Sequence, residues 1–207
     1  ASVRQLGAPP LTAAPRTGGT SPLSFGQQRF WFLDRLEPGN PFYNVPAAVR
    51  LIGALNIEAL RFALTEVIKR HEVLRTSFRE VNGKPLPVIT AAEEIGSDAE
   101  EAILRLTDLT ALGAMDRADA ARRIAQTEAQ APFNLETGPL LRALLVRQDA
   151  EEHLLLVTMH HIVSDAWSTN ILVREVGAFY NAYVSEQPAA LAPLPIQYAD
   201  YATWQRS

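Results

Sequence analysis

The sequence contains no cysteine among its 207 residues. This absence excludes disulfide bonds, a thiolate nucleophile and any zinc site built on cysteine. Because a chain without disulfides suits a reducing compartment, we expect a cytoplasmic protein. The sequence also lacks any run of about 18 consecutive apolar residues, so no membrane-spanning helix is expected.

The sequence has no strong excess of charge of either sign. It has 19 basic and 23 acidic residues, which give a formal net charge of -4, and the basic residues are scattered. Neither nucleic acid nor an anionic membrane surface is therefore expected as a partner. Hydrophobic residues make up 47% of the chain, which is enough to bury a substantial core.

Residues 1–21 are rich in Pro, Gly, Ala and Thr and lack the apolar segment of a signal peptide. This composition is typical of a linker. We therefore expect the folded domain at residues 22–207, and we expect the chain to be a piece of a longer polypeptide.

Hydrophobic periodicity and turn residues predict an α+β fold, with helices packed on one mixed or antiparallel sheet. The predicted helices, of which the first two follow Ser24 and Asn56 as caps, cover residues 25–36, 57–70, 114–130, 167–185 and 197–205. The predicted strands cover residues 43–52, 74–81, 85–89, 140–148 and 153–161. Residues 103–109 fit either a strand or a helix, and a strand is favoured.

Two of these elements carry specific expectations. Both alternating faces of strand 153–161 are apolar, which predicts that this strand lies buried at the centre of the sheet, antiparallel to strand 140–148. The helix at 167–185 is predicted to place one group of apolar residues on a single side, namely Trp167, Ile171, Leu172, Phe179, Tyr180 and Tyr183.

Two adjacent histidines, His160 and His161, end the predicted central strand, and Asp165 follows four residues later. Adjacent side chains of a strand point to opposite faces, so only one of the two histidines can face a given cleft. One is expected to be structural and the other to be available for chemistry. An imidazole is the usual general base near neutral pH.

Ordinary structural explanations exist for the same residues. A histidine pair at a strand end is most often a hydrogen-bonded structural pair, and Asp165 stands where an aspartate caps the following helix. A metal site is not supported, because the other histidines, His71 and His153, form no ligand-spaced cluster with this pair.

The segment His-His-Ile-Val-Ser-Asp-Ala-Trp-Ser, residues 160–168, resembles the HHxxxDG signature of the condensation-domain superfamily, which has the chloramphenicol acetyltransferase fold. Three further segments resemble the first, second and fourth core motifs of that family, in the family's order: residues 24–32, 70–78 and 198–205. The resemblance extends over about residues 22–206.

This resemblance implies an activity of nonribosomal peptide synthetases. The family joins a donor acyl thioester to the amine of an acceptor aminoacyl thioester, inside a tunnel between two lobes. The chain would be the amino-terminal lobe, with the second lobe absent. The implied partners are upstream and downstream peptidyl carrier proteins, the second lobe and adjacent synthetase domains. No cofactor is expected to bind directly, since both substrates arrive on phosphopantetheine arms.

The resemblance also assigns roles to the residues of the signature. It implies that His161 faces the tunnel as the catalytic residue and that His160 is buried and structural. It implies that Asp165 holds the loop, while Trp167 and Ser168 complete the motif as structural support.

One position of the signature departs from the family. Ala166 stands where the family usually has glycine, either for a positive φ angle or to leave room for the substrate arm. In the first and second motifs, Arg29, Arg70 and Arg75 are interpreted as structural, and one of them is a candidate partner for Asp165.

Two other functions remain open from the sequence. One is an epimerization domain or a related acyltransferase of the same fold. The other is a degenerate, non-catalytic module that docks carriers or recruits a partner enzyme. The retained His160, His161 and Asp165 argue against the second, whereas Ala166 and the short length favour it weakly.

Overall fold

The structure is a computed structural model that describes residues 10–14, 21–95 and 103–207. Most of the predicted linker at residues 1–21 lies outside the described residues. The helices are α1 Phe25–Leu36, α2 Ile57–Arg70, α3 Ala114–Gln130, α4 Ala166–Ser185 and α5 Tyr198–Gln205. The strands are β1 Asn44–Ile52, β2 Thr76–Val81, β3 Lys84–Ile89, β4 Leu104–Asp108, β5 Leu141–Asp149 and β6 Glu152–His160.

Four strands form the main sheet, in the order β1-β6-β5-β4. β6 is antiparallel to both of its neighbours, and β4 is parallel to β5, so the sheet is mixed. The expected central position of the strand that carries the histidines is therefore observed. At its end, Met159 pairs with Val45 on one side and with Leu141 on the other.

The β2–β3 hairpin forms a separate two-stranded sheet. Its turn residues, Asn82 and Gly83, both have positive φ angles (52° and 74°), as the Asn-Gly turn of a tight hairpin requires. The strand predicted to begin at residue 74 begins at Thr76 instead, because Glu72–Arg75 form a turn of 3-10 helix. Thr76 fixes this turn by donating its hydroxyl to the carbonyl oxygen of Glu72 at 2.6 Å.

The two faces of the main sheet are covered by different helices. One core lies between the sheet and helices α2 and α4, and includes Leu64, Val157 and Leu172. A second, smaller core lies on the opposite face against α3, and includes Ala121 and Leu156. Each large side chain buried in this way stabilises the fold by about 1.5–3 kcal/mol.

Two helices expose large apolar residues. On α4, Trp167 and Tyr183 are exposed, whereas Leu172, which the prediction placed on the same side of the helix, is buried. Trp167 stands in the first turn of α4, directly after the loop that leaves the end of β6. On α1, the exposed residues are Phe25, Phe32 and Leu36.

None of the described helices combines the length and the apolar character needed to cross a bilayer.

Candidate functional site

The two histidines lie at the end of β6 and differ in exposure: His160 is buried and His161, in the turn that follows the strand, is exposed. His160 is the last residue of the strand and is only 3% exposed. Its Nδ1 accepts a hydrogen bond from the backbone N–H of Ile162 at 3.1 Å. Rings of Phe30 and Phe133 contact it edge-on, with centroids 6.4 and 6.0 Å away.

The surroundings of His160 keep its ring uncharged. Burial, and to a smaller extent the neighbouring His161, lower the pKa of His160 to about 4. A neutral, buried imidazole that accepts a backbone hydrogen bond has the geometry of a structural group.

His161, by contrast, is exposed to solvent. Its backbone N–H donates to the carbonyl oxygen of Tyr43 at 2.9 Å, which fixes the main chain. Its ring stacks on Phe30, with centroids 4.8 Å apart and planes 19° apart. Within residues 21–95 and 103–207, no hydrogen bond to its ring nitrogens is found, so both are available to a ligand.

Hydrogen bonds hold the loop between β6 and α4. The N–H of Val163 and the hydroxyl of Ser164 both donate to the carbonyl oxygen of His160, at 3.0 and 3.1 Å. Ile162, Val163 and Ser164 are all buried. The exposed His161 ring therefore stands on a turn whose other side chains are packed.

Asp165 is the N-cap of α4. Its Oδ1 accepts hydrogen bonds from the backbone N–H of Ser168 at 2.8 Å and from the hydroxyl of Ser168 at 2.7 Å. These bonds hold the pKa of the Asp165 carboxyl below its ordinary value. Asp165 therefore acts as a helix cap, as one of the two explanations from the sequence held, and Ser168 is the residue it bonds.

The arginine partner considered for Asp165 is not found among the described residues. The carboxylate is exposed rather than buried, so its charge is solvated and needs no ion pair. Arg29 is an exposed residue of α1, and Arg75 bonds the carbonyl oxygens of Lys69 and Thr90.

Arg70 instead contacts Glu175, a residue of α4 that the sequence analysis missed. Glu175 is 2% exposed, and its Oε2 lies 3.2 Å from Nε of Arg70 and 2.7 Å from Nε2 of His71. The signal in the sequence was its spacing, since Glu175 follows the buried Leu172 by three residues on the packed side of the helix.

Ala166 is the first residue of α4 and has a helical backbone. It is not among the residues with positive φ, so a glycine is not required there for backbone reasons. The neighbouring Trp167 is 77% exposed.

Phe30 and Tyr43 also belong to the site, although neither was predicted to have a role in it. Phe30 stands within the first motif-like segment, and Tyr43 precedes the strand that pairs with the end of β6. Their order in the sequence gave no indication that both would contact His161.

No group of three or more histidine, cysteine or acidic residues suited to a metal ion is found in the described part of the chain. His71 contacts Glu175, and His153 lies near the opposite end of β6.

Comparisons with known proteins agree with the resemblance seen in the sequence. A family model of the condensation domain matches residues 18–207. A linear gramicidin synthase of Brevibacillus parabrevis is 43% identical over 196 residues, which covers 95% of this chain and 2% of that protein. Phosphinothricin tripeptide synthetase PhsC of Streptomyces viridochromogenes is 46% identical over 198 residues, which covers 96% of this chain and 18% of that protein.

A solved structure gives the same result for the fold. The X-domain from teicoplanin biosynthesis matches with a TM-score of 0.80 and 30% identity, covering 96% of this chain and 40% of that one. The expected α+β fold is confirmed, and the chain spans less than half of that structure and a small part of its curated relatives. With the motifs, the fold and the relatives in agreement, this chain belongs to the condensation-domain family of the nonribosomal peptide synthetases.

Proposed function

We propose that residues 22–207 form the amino-terminal lobe of a domain that makes peptide bonds between carrier-bound substrates. The domain would join a donor acyl or peptidyl thioester to the amine of an acceptor aminoacyl thioester. The observation that supports this proposal is the His161 ring, which is exposed and stacked on one face and has both nitrogens free of hydrogen bonds among the described residues.

The chemistry makes modest demands on such a histidine. An α-amino group has a pKa of about 7.7–8.0, so part of it is already neutral at physiological pH. The remaining task is to hold the amine against the thioester, which can contribute roughly 7–11 kcal/mol to lowering the barrier. One nitrogen of His161 accepts a hydrogen bond from the amine and receives its proton as the carbon–nitrogen bond forms and the thiolate leaves.

The neighbouring residues would support this role without contacting substrate. His160 fills the space beneath the loop as a neutral group, and Asp165 begins α4 directly after it. Trp167, Ser168, Arg29, Arg70 and Arg75 are assigned structural roles, and Ala166 is compatible with an active loop because its helical backbone suits alanine.

The partners follow from the same proposal. Two peptidyl carrier proteins would deliver the substrates on phosphopantetheine arms, and this chain itself would hold no cofactor. A second lobe and adjacent synthetase domains would complete the tunnel, and the whole would work in the cytoplasm.

A second candidate function comes from the neighbouring structures. The X-domain of teicoplanin biosynthesis has been solved in a complex with OxyB, and it matches this chain with a TM-score of 0.78. A module that recruits a partner enzyme is therefore the alternative. The free nitrogens of His161 favour catalysis, because a recruiting surface has no need for an available imidazole.

The test uses the complete domain with loaded donor and acceptor carriers, and compares the wild type with His161→Ala. We expect the variant to lose at least a hundredfold in dipeptide formation, with an unchanged melting temperature. Full activity of the variant would reject His161 as the catalytic residue. A wild-type domain that forms no peptide but binds a partner enzyme would support the recruiting alternative.

A further inference from the structure

We propose that Phe30 is the positioning residue for His161, and that it holds the imidazole in the orientation from which a nitrogen meets the substrate amine. The inference rests on the proposed catalytic role of His161. It gives a function to a phenylalanine of α1 for which the sequence predicted none.

Stacking on Phe30 is the contact that fixes the plane of the His161 ring. The backbone of His161 is held by Tyr43, but that bond leaves the side-chain torsions free. An exposed side chain changes rotamer on the picosecond to nanosecond scale unless something packs against it. The ring of Phe30, 4.8 Å away and nearly parallel, restricts this motion.

Phe30 is itself packed against two further rings. Its ring makes an edge contact with Tyr43, with centroids 5.4 Å apart and planes 65° apart. It also makes an edge contact with the buried His160. The aromatic group Phe30, Tyr43 and His160 thus forms a rigid support under one face of the His161 ring.

The support depends on α1, whose first turn is fastened to α5 by hydrogen bonds. The hydroxyl groups of Ser24, the N-cap of α1, and of Tyr198 lie 2.9 Å apart. The backbone N–H of Phe25 donates to Oε1 of Gln205 at 2.8 Å.

A further bond to the residue after α5 completes this attachment, since Nε of Arg206 donates to the carbonyl oxygen of Leu23 at 3.0 Å. The first and fourth motif-like segments thereby set the position of Phe30 without touching a nitrogen of His161.

The geometry also fixes how a substrate approaches. Stacking covers one face of the His161 imidazole and leaves the ring edge, where both nitrogens lie, clear of Phe30. An amine therefore meets a nitrogen in the plane of the ring. Since misplacing a catalytic group by about 1 Å can cost roughly a hundredfold in rate, loss of the stack should reduce turnover rather than binding.

The experiment uses the complete domain and the variants Phe30→Leu, Phe30→Met and Phe30→Tyr. Leucine and methionine keep the apolar contact but remove the aromatic face, whereas tyrosine keeps that face. Phe32→Leu is the matched control, because Phe32 lies on the same helix and is 56% exposed. Turnover and KM are measured together with the ring resonances of His161 in histidine-labelled protein.

We expect Phe30→Leu and Phe30→Met to lower kcat roughly tenfold with little change in KM. The His161 ring protons should move downfield as the ring current of Phe30 disappears. Phe30→Tyr should keep both properties near those of the wild type, and Phe32→Leu should change neither. Unchanged His161 resonances in Phe30→Leu and Phe30→Met, or an equal loss of kcat in Phe32→Leu, would overturn the proposal.

A double-mutant cycle separates this inference from the proposed function. If Phe30 acts through His161, Phe30→Leu should have no further effect on the rate in the His161→Ala background. An additional loss in that background would mean that Phe30 contacts substrate by itself, against the proposal. If His161→Ala alone leaves the rate unchanged, the catalytic role of His161 fails, whereas the resonance shift still reports whether Phe30 orients the ring.

Discussion

The buried carboxylate of Glu175 contacts His71, so that two helical regions far apart in the sequence are joined. Oε2 of Glu175 lies 2.7 Å from Nε2 of His71, which follows the last residue of α2. Arg70, 3.2 Å from the same oxygen, supplies the positive charge. Because a buried carboxylate is costly unless it is compensated, this contact fixes α4 against the end of α2.

Replacing Glu175 with alanine should destabilise the domain by about 3–5 kcal/mol, because Arg70 would be left without its buried partner. Glu175→Gln should cost less, since an amide oxygen can still accept a hydrogen bond. Urea denaturation measures both effects.

The control for this prediction is Glu58→Ala. Glu58 is an exposed glutamate in the first turn of α2 that pairs with Arg61 at 3.7 Å. Its removal should cost no more than about 1 kcal/mol. Equal losses in the free energy of unfolding for the two variants would mean that the buried Glu175 contributes no more to stability than the exposed Glu58.

The sequence predicted most elements because their signals are local. The bounds of α3 were predicted to the residue, and α2 was predicted to follow Asn56 and to end at about residue 70, as observed. For α2 the signal was a capping asparagine before a regular apolar period that ends at a charged turn. The predicted start of β2 was wrong because the 3-10 turn at Glu72–Arg75 depends on hydrogen bonds to other parts of the chain. Among these, the N–H of Glu72 donates to Oε1 of Gln197 at 3.1 Å.

The stability of the domain should fall in mild acid because of His160. Since the pKa of His160 is lowered to about 4 in the folded state, the unfolded chain binds more protons between about pH 4 and pH 6.5, and acid favours unfolding. Because of His160, the free energy of unfolding should fall by about 2 kcal/mol between pH 7 and pH 5.

The variant His160→Asn isolates the pH-dependent contribution of His160 to stability. It keeps an acceptor near the position of Nδ1 and cannot take up a proton. Its free energy of unfolding should depend less on pH than that of the wild type, whatever its absolute value. The pKa of His153 is also lowered by burial, so His153→Gln is measured in parallel. This variant should still show the loss of stability in acid that comes from His160. Parallel curves for the wild type and His160→Asn would contradict the prediction.

Asp165 should contribute to stability as a helix cap. Replacing it with alanine leaves the N–H of Ser168 without its acceptor and should cost about 1 kcal/mol, whereas Asp165→Ser should recover most of this loss. Thermal melts of the complete domain measure the difference. If Asp165→Ala melts like the wild type yet loses activity, Asp165 takes part in the reaction directly.

Less of the site than of the fold could be predicted from the sequence. The predicted strand ran to His161, and its alternation placed the two histidines in different environments. In the structure β6 ends at His160, which is buried, and His161 is exposed in the turn that follows. The stack of Phe30 on His161 joins residues 131 positions apart, and only the packing of α1 against the end of the sheet brings them together. Pairs of this kind leave no periodic signal in one sequence.

The proposal that residues 22–207 are one of two lobes predicts that this chain alone forms no dipeptide. His161 is exposed in this chain, and Phe30 stacks on its ring, so neither thioester would be held near its nitrogens. Losing the positioning contribution of roughly 7–11 kcal/mol would remove most of the rate. The exposed Trp167 and Val173 on α4 are the apolar surface that a second lobe would cover.

The measurement mixes the isolated chain with loaded donor and acceptor carriers and follows dipeptidyl product, beside the complete domain at the same concentration. Circular dichroism checks that the isolated chain is folded, so that a missing product reports on the site rather than on unfolding. Adding the remainder of the domain as a separate polypeptide should restore part of the activity, because it would supply the other wall of the tunnel. Turnover by the isolated chain comparable to that of the complete domain would show that His161 and its aromatic support suffice, and the two-lobe mechanism would be wrong.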